Sequence, residues 1–279
     1  MSKSVDSSCK DSVLNSIHSP LYSSNSESFK PYFALRNIVV HIRYGLLINS
    51  RQPGLWSRLL AIAPIMQILP YLLMGYSFLP SEQLDAYLYT NMIWSFFAGV
   101  TMQCLVSIGG ITRGTRLDII LLADGGVLPW LVGYSLSVGI VYLVSSLLSS
   151  MALGLLLRYP VHAVMMLIFA LLSIPVTMSV VFFVFGLEIR FHRTFNLVSM
   201  ALDVMQILSC VLFPLAALGT LVGSVARLSP VTWLNEFVRG LRPFDLLIAL
   251  VMSGALFMFS ALWVQASVRR YRISGKIGG

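Results

Sequence analysis

Glu236 and Arg239 stand three residues apart in LSPVTWLNEFVRGLRP, at 228–243. At that spacing an acid and a base meet on one face of a helix. Pro230 suits the first turn of such a helix, with Ser229 as its N-cap. With Trp233 beside them, the pair either anchors the segment at a lipid interface or works as a gate. Asp203, in MALDVMQI, is the second candidate. An acid inside an apolar run is a functional candidate by default. It lies roughly 9 Å into its run at about 1.5 Å per residue, within reach of Arg190 or Arg193, and pairing with one of them is the favoured expectation. The third candidate is Arg113-Gly114-Thr115-Arg116-Leu117-Asp118, bracketed by Gly109-Gly110 and Gly125-Gly126.

Covalent chemistry finds little to work with. Acid–base or metal-assisted catalysis needs clustered acids or histidines. Asp118 and Asp124 do not share a helix face, and no histidine accompanies them. His18, His41, His162 and His192 are scattered, and Cys9, Cys104 and Cys210 have no metal-ligand spacing. No catalytic, cofactor-binding or metal-binding residues are expected. The sequence has no G-x-x-x-x-G-K-[ST] loop for nucleotide phosphates.

The elements that must position these residues are membrane spans. The chain is 57% hydrophobic and 11% charged, with a mean hydropathy of +0.83; soluble domains carry about 25% charged residues. The net charge of +8 fits basic residues gathered at the cytoplasmic ends of spans better than nucleic-acid binding. A span needs about 20 mostly apolar residues, and six runs qualify: 59–79, 91–108, 128–156, 163–187, 197–221 (interrupted by Pro214) and 244–266. The expected fold is therefore an all-α membrane protein with six transmembrane helices.

Placing the N-terminus in the cytoplasm leaves only Arg158, Arg227, Arg239 and Arg242, of 19 basic residues, in outer segments. The bias of Lys and Arg toward the inside then puts both termini in the cytoplasm. The loop at 80–90, with Glu82 and Asp85, lies outside. So does 222–243, which carries more apolar residues than an aqueous loop needs and reads as a re-entrant or interfacial helical hairpin. Residues 32–49, with Arg36, His41 and Arg43 among apolar ones, are too polar to span and fit an amphipathic helix on the inner surface. Residues 1–31 read as a disordered, Ser-rich cytoplasmic tail without a signal peptide, and 271–279 as a second cytoplasmic tail. Residues 117–123 read as a short cytoplasmic helix with Asp118 at its positive end.

Taken together, the amphipathic helix, the six spans, Arg113-Gly114-Thr115 after the second span, and Ser229-Pro230…Glu236…Arg239 before the sixth resemble the ABC-2 type permeases over roughly 32–270. The family has Asn where this chain has Ser229, and its coupling segment is one residue shorter than Gly114-Thr115-Arg116-Leu117-Asp118. The resemblance implies the membrane subunit of an ABC exporter in the cytoplasmic (inner) membrane. ATP and Mg would be bound by a partner ATPase, and no cofactor by this chain. A second permease subunit, identical or not, would complete the path, and no nucleic acid is involved. Residues 111–123 would dock on the ATPase, and 222–243 with Pro230, Trp233, Glu236 and Arg239 would form an outer gate. The cargo would be a drug, lipid or peptide of hydrophobic or amphiphilic character. The rival readings are a stand-alone secondary transporter, whose sign would be inverted repeats, and a membrane-embedded lipid-modifying enzyme.

Overall fold

Uninterrupted runs of Leu, Val, Ile, Phe and small residues satisfy their own backbone only as helices when water is absent. The computed structural model describes residues 31–51, 81–112, 120, 127–157, 162–191, 194–211 and 214–273. Among them are eight α-helices and no strand: α1 Pro31–Ser50, α2 Ser81–Thr112, α3 Val127–Leu157, α4 Ala163–Phe191, α5 Phe195–Leu208, α6 Thr220–Ala226, α7 Pro230–Gly240 and α8 Pro243–Ile273, with one 3-10 turn at Leu215–Ala217. Four are long and apolar enough to cross a membrane: Ala86–Ile111, Val127–Leu148, Ala163–Phe191 and Pro243–Tyr271. The shortest has 22 residues, about 33 Å at ~1.5 Å per residue, against a hydrocarbon core of about 30 Å. The described residues are all-helical, and the chain is a multi-pass membrane protein. The expected first span at 59–79, the tail at 1–30 and residues 274–279 lie outside the described residues.

The helices pack with alternating direction. Tyr89 of α2 meets Phe169 of α4, ring centroids 5.3 Å apart, and the later halves of the two helices stay together, so they run the same way. Phe257 of α8 lies 4.8 Å from Phe182 of α4, and Trp263 packs on Gly186; α8 therefore runs with them. α3 runs opposite: its Tyr134 hydroxyl donates to Ser107 Oγ at 2.5 Å, while Tyr142, two turns on, covers Gly99. This is the alternation expected of successive spans.

Apolar burial and close backbone approach hold the bundle. One cluster, with Ile93, Phe97, Phe169, Val231 and Leu234, fills the end where α2, α4 and α8 begin. A second, with Val100, Leu131, Phe182, Phe185 and Val264, fills the other. Lipid is as apolar as leucine, so small residues and hydroxyls at the seams matter more than in water. Ser253, Ser260 and Ser267 of α8 recur every seven residues and are buried. Ser173, Thr177 and Ser253 return their hydroxyl hydrogens to carbonyls of their own helices.

Several boundaries differ from expectation. The outer loop expected at 80–90 is helical from Ser81 on, where α2 starts, and Tyr87 and Thr90 are buried in the bundle. The sixth span lengthens to Pro243–Ile273. The fifth does not run to Pro214. α5 ends at Leu208 after 14 residues, about 21 Å at ~1.5 Å each and too short to cross. Cys210 then turns through a left-handed φ of 59°. α1 forms as expected, but its place is set by α3. Its His41 and Ile38 abut Gly133, and its Gly45 abuts Tyr134 and Ser137, so it runs alongside the first half of a spanning helix in the same direction. Leu35, Val39, Val40, Tyr44 and Leu47 remain exposed on it.

Candidate functional site

A helix that stops inside the bilayer leaves its last carbonyls without intrahelical donors. In an apolar setting each unsatisfied group costs about 1–3 kcal/mol or more. α7 supplies the missing donors. Pro230 stands at its first position, fixing φ where no amide is needed. Val231, Leu234 and Val238 are buried against the bundle. Thr232, Asn235, Glu236 and Arg239, at i, i+3, i+4 and i+7, line a second face.

That second face meets the break after α5 bond for bond. Thr232 Oγ1 donates to the Leu208 carbonyl at 3.3 Å, and Asn235 Nδ2 to that of Ser209 at 2.8 Å. Arg239 Nη2 donates to the Val211 carbonyl at 2.9 Å, which also accepts from Thr90 Oγ1 of α2 at 3.3 Å. Glu236 Oε1 accepts from the Leu215 amide at 2.9 Å and from Arg239 Nη1 at 3.2 Å. Charge-assisted bonds of this kind are roughly twice as strong as neutral ones. Burial pulls the pKa of Arg239 down, and the Glu236 carboxylate pushes back up. Trp233, half-buried, donates from Nε1 to the Arg227 carbonyl at 2.8 Å and holds the approach to α7.

The expected pair is thus present and does more than neutralise itself. Ser229 occupies the N-cap position but makes no capping bond; its hydroxyl is buried without a partner. Thr232, Asn235 and Thr90 were not among the expected site residues, although the i, i+3, i+4, i+7 spacing of the polar positions in 230–240 carries the signal for the first two.

Asp203 does not pair with Arg190. It lies on the exposed face of α5 with Leu197, Met200, Val204 and Ile207. The Arg190 guanidinium is turned to α8 instead, 4.8 Å from the ring centre of Trp263. Arg193 lies outside the described residues, as do Arg113, Gly114, Thr115, Arg116, Leu117 and Asp118.

The buried acid at that end of the bundle is Glu188, the only acid in α4 and 1% exposed. Its Oε2 accepts from the Thr194 amide at 2.9 Å and from the Thr194 hydroxyl, at the start of α5. Beside it a pocket of about 740 Å³ opens between the last turns of α2 and the first turn of α5. No protein-family model and no curated protein matches this chain.

Proposed function

We propose that this chain is the membrane subunit of an ATP-driven exporter of the ABC-2 type, with ATP hydrolysed by a separate subunit. The observation that carries the reading is the Ser229–Arg239 stretch. The residues on which the resemblance rests are those that fold over a broken fifth helix and occupy its orphaned backbone groups. In this reading the chain has six spans and cytoplasmic termini in the inner membrane. The turn, α6 and α7 form a re-entrant cap on the outer side, and the Glu236–Arg239 pair is its latch. A second membrane subunit faces the exposed side of this one. Residues 111–123 dock on the ATPase, and α1, fixed on α3, passes the motion to the bundle. The cargo is hydrophobic or amphiphilic, consistent with spans that carry few ionisable groups.

Pull-down of the tagged chain from native membranes in a mild detergent, with masses of co-purifying proteins, tests the reading. A P-loop ATPase in near-equal amount, with vanadate-sensitive hydrolysis in the eluate, is the expected result. Recovery of the chain without any ATPase across several detergents would sink it. Replacing Arg116 and Asp118 together is expected to release the ATPase and leave the chain in the membrane. Undiminished ATPase recovery would move the docking site elsewhere.

A further inference from the structure

α1 is pinned to α3 along one face. Its Ile38 and His41 abut Gly133, and its Gly45 abuts Tyr134 and Ser137. The opposite face, at i, i+4, i+7 and i+11, is Arg36, Val40, Arg43 and Leu47, all exposed. Tyr44 beside them is 59% exposed. α1 contains no acid, and neither guanidinium has a partner among the described residues. The level of this face is fixed by α3. Gly133 and Ser137 stand six and ten residues beyond Val127, where the apolar span of α3 begins. That places them about 9 and 15 Å along it. The backbone of Arg43, between His41 and Gly45, lies between those levels.

A guanidinium held among exposed apolar side chains at that depth is costly unless it reaches a phosphate or water. From this placement we propose that the exposed face of α1 binds an anionic phospholipid, with the phosphate drawn between Arg36 and Arg43 and an acyl chain along Tyr44 and Leu47. The two arginines stand about 10 Å apart along the axis, a gap that two long, flexible side chains close on one headgroup. Guanidinium groups bond phosphate oxygens in pairs. Two cations with no acid among them favour a headgroup of net negative charge over a zwitterionic one, whose own cation they repel. A second copy of the chain is the poorer occupant, because a two-fold axis along the membrane normal would set each arginine against its equivalent. The close contacts at Gly45 and Gly133 leave no room for a side chain, so the face keeps its level and does not roll away from the lipid. The inference goes beyond the exporter reading and needs only a chain set in a membrane.

The test uses the full chain, with Cys9, Cys104 and Cys210 replaced, in nanodiscs of equimolar phosphatidylcholine and phosphatidylglycerol. Val40, exposed between the two arginines, is replaced by Cys and labelled with bimane. Bromine on the acyl chains of one lipid or the other quenches the label, and the ratio of the two quenchings gives the relative affinity at this face. Phosphatidylglycerol is expected to be preferred by at least about fivefold, the factor for one basic residue near an anionic surface. Arg36→Gln with Arg43→Gln changes only exposed side chains and is expected to bring the ratio to about one. Arg269 and Arg270 are exposed at the end of the bundle where α3 begins. Arg269→Gln with Arg270→Gln removes as much charge away from the site and is expected to leave the ratio unchanged. A ratio near one with all four arginines present overturns the proposal. So does a comparable fall with either pair, which would make the preference one of overall charge. Absence of quenching by either lipid also overturns it, since another protein surface then covers the face. No ATPase enters the measurement, so its failure and that of the exporter reading are told apart.

Discussion

Arg239 and Val211 are 28 residues apart in sequence, and the guanidinium of one donates to the carbonyl of the other at 2.9 Å. Through that bond and its pairing with Glu236, a short amphipathic helix closes the open end of a truncated one. Arg239→Met keeps the aliphatic stem and removes the donors. It leaves Val211 with the longer Thr90 bond alone and Glu236 without its cation. A loss of about 2–4 kcal/mol is expected, since a half-removed pair leaves an uncompensated charge. Unfolding of the detergent-solubilised chain measures it. In the double variant with Glu236→Gln the loss is expected to be smaller than the sum of the singles by about 0.5–3 kcal/mol. Strict additivity would show that the two side chains act separately.

Glu236 alone can be divided into two duties. Its Oε1 serves both the Leu215 amide and Arg239. Glu236→Gln preserves an acceptor for Leu215 and weakens the tie to Arg239; Glu236→Ala loses both. The alanine variant is expected to be the less stable by about 1–2 kcal/mol, and both are expected to insert at unaltered levels while export falls. If Glu236→Ala abolishes insertion, the pair is an anchor and the latch is wrong.

Asn235 is fully buried and donates to Ser209 at 2.8 Å. Asn235→Leu keeps the branched four-atom outline with bulkier methyl groups, and the Ser209 carbonyl loses its donor. The expected cost is about 1–3 kcal/mol. Hydrogen exchange by mass spectrometry is expected to show faster exchange over 205–215 with no change in α3. Exchange that rises equally in α3 would mean the substitution loosens the whole bundle and not the break.

The seam between α4 and α8 is equally specific. A side chain at Gly186 would collide with the Trp263 ring, whereas one at Gly254 meets nothing within 4 Å. Gly186→Ala is expected to destabilise by about 1–3 kcal/mol, the usual cost of overpacking. Gly254→Ala is expected to be neutral or to stabilise by up to about 1 kcal/mol, through helix propensity alone. Paired melting curves of the two variants check this, and equal midpoints would refute the close approach.

Spanning helices were legible because their signal is length of apolar run, which local sequence carries in full. The runs at 128–156 and 163–187 match α3 and α4 closely. The fifth run was not, because nothing in Leu208-Ser209-Cys210 forbids a helix. Pro214 is the visible breaker, yet the chain turns earlier, where its carbonyls can accept from donors on α7, more than twenty residues on. The Glu236–Arg239 pair was legible from spacing, but its targets were not, since a carbonyl has no letter of its own. Asp203 misled for a related reason: depth in a run says nothing about which way the helix face points. Glu188 passed unremarked because it sits at the edge of its run, where charge is ordinary.

The direction of the bundle in the membrane has a direct check. Between Arg227 and Arg270 lie α7, whose 11 residues are too few to cross, and α8, so the two must stand on opposite sides if α8 spans. A cysteine-free background is needed first. Cys104 is buried and replaceable by Ala. Cys210 has a φ of 59° and is best replaced by Gly, which adopts that region without strain. Cys9 is replaced by Ser. In intact cells, a membrane-impermeant maleimide is expected to label Arg227→Cys at once, since Arg227 is exposed and precedes α7, and to label Arg270→Cys only after permeabilisation. The reverse pattern would invert the chain and place the latch in the cytoplasm, removing it as an outer gate. Labelling of both from one side would mean that α8, with only 22% of its apolar window buried, does not cross the bilayer.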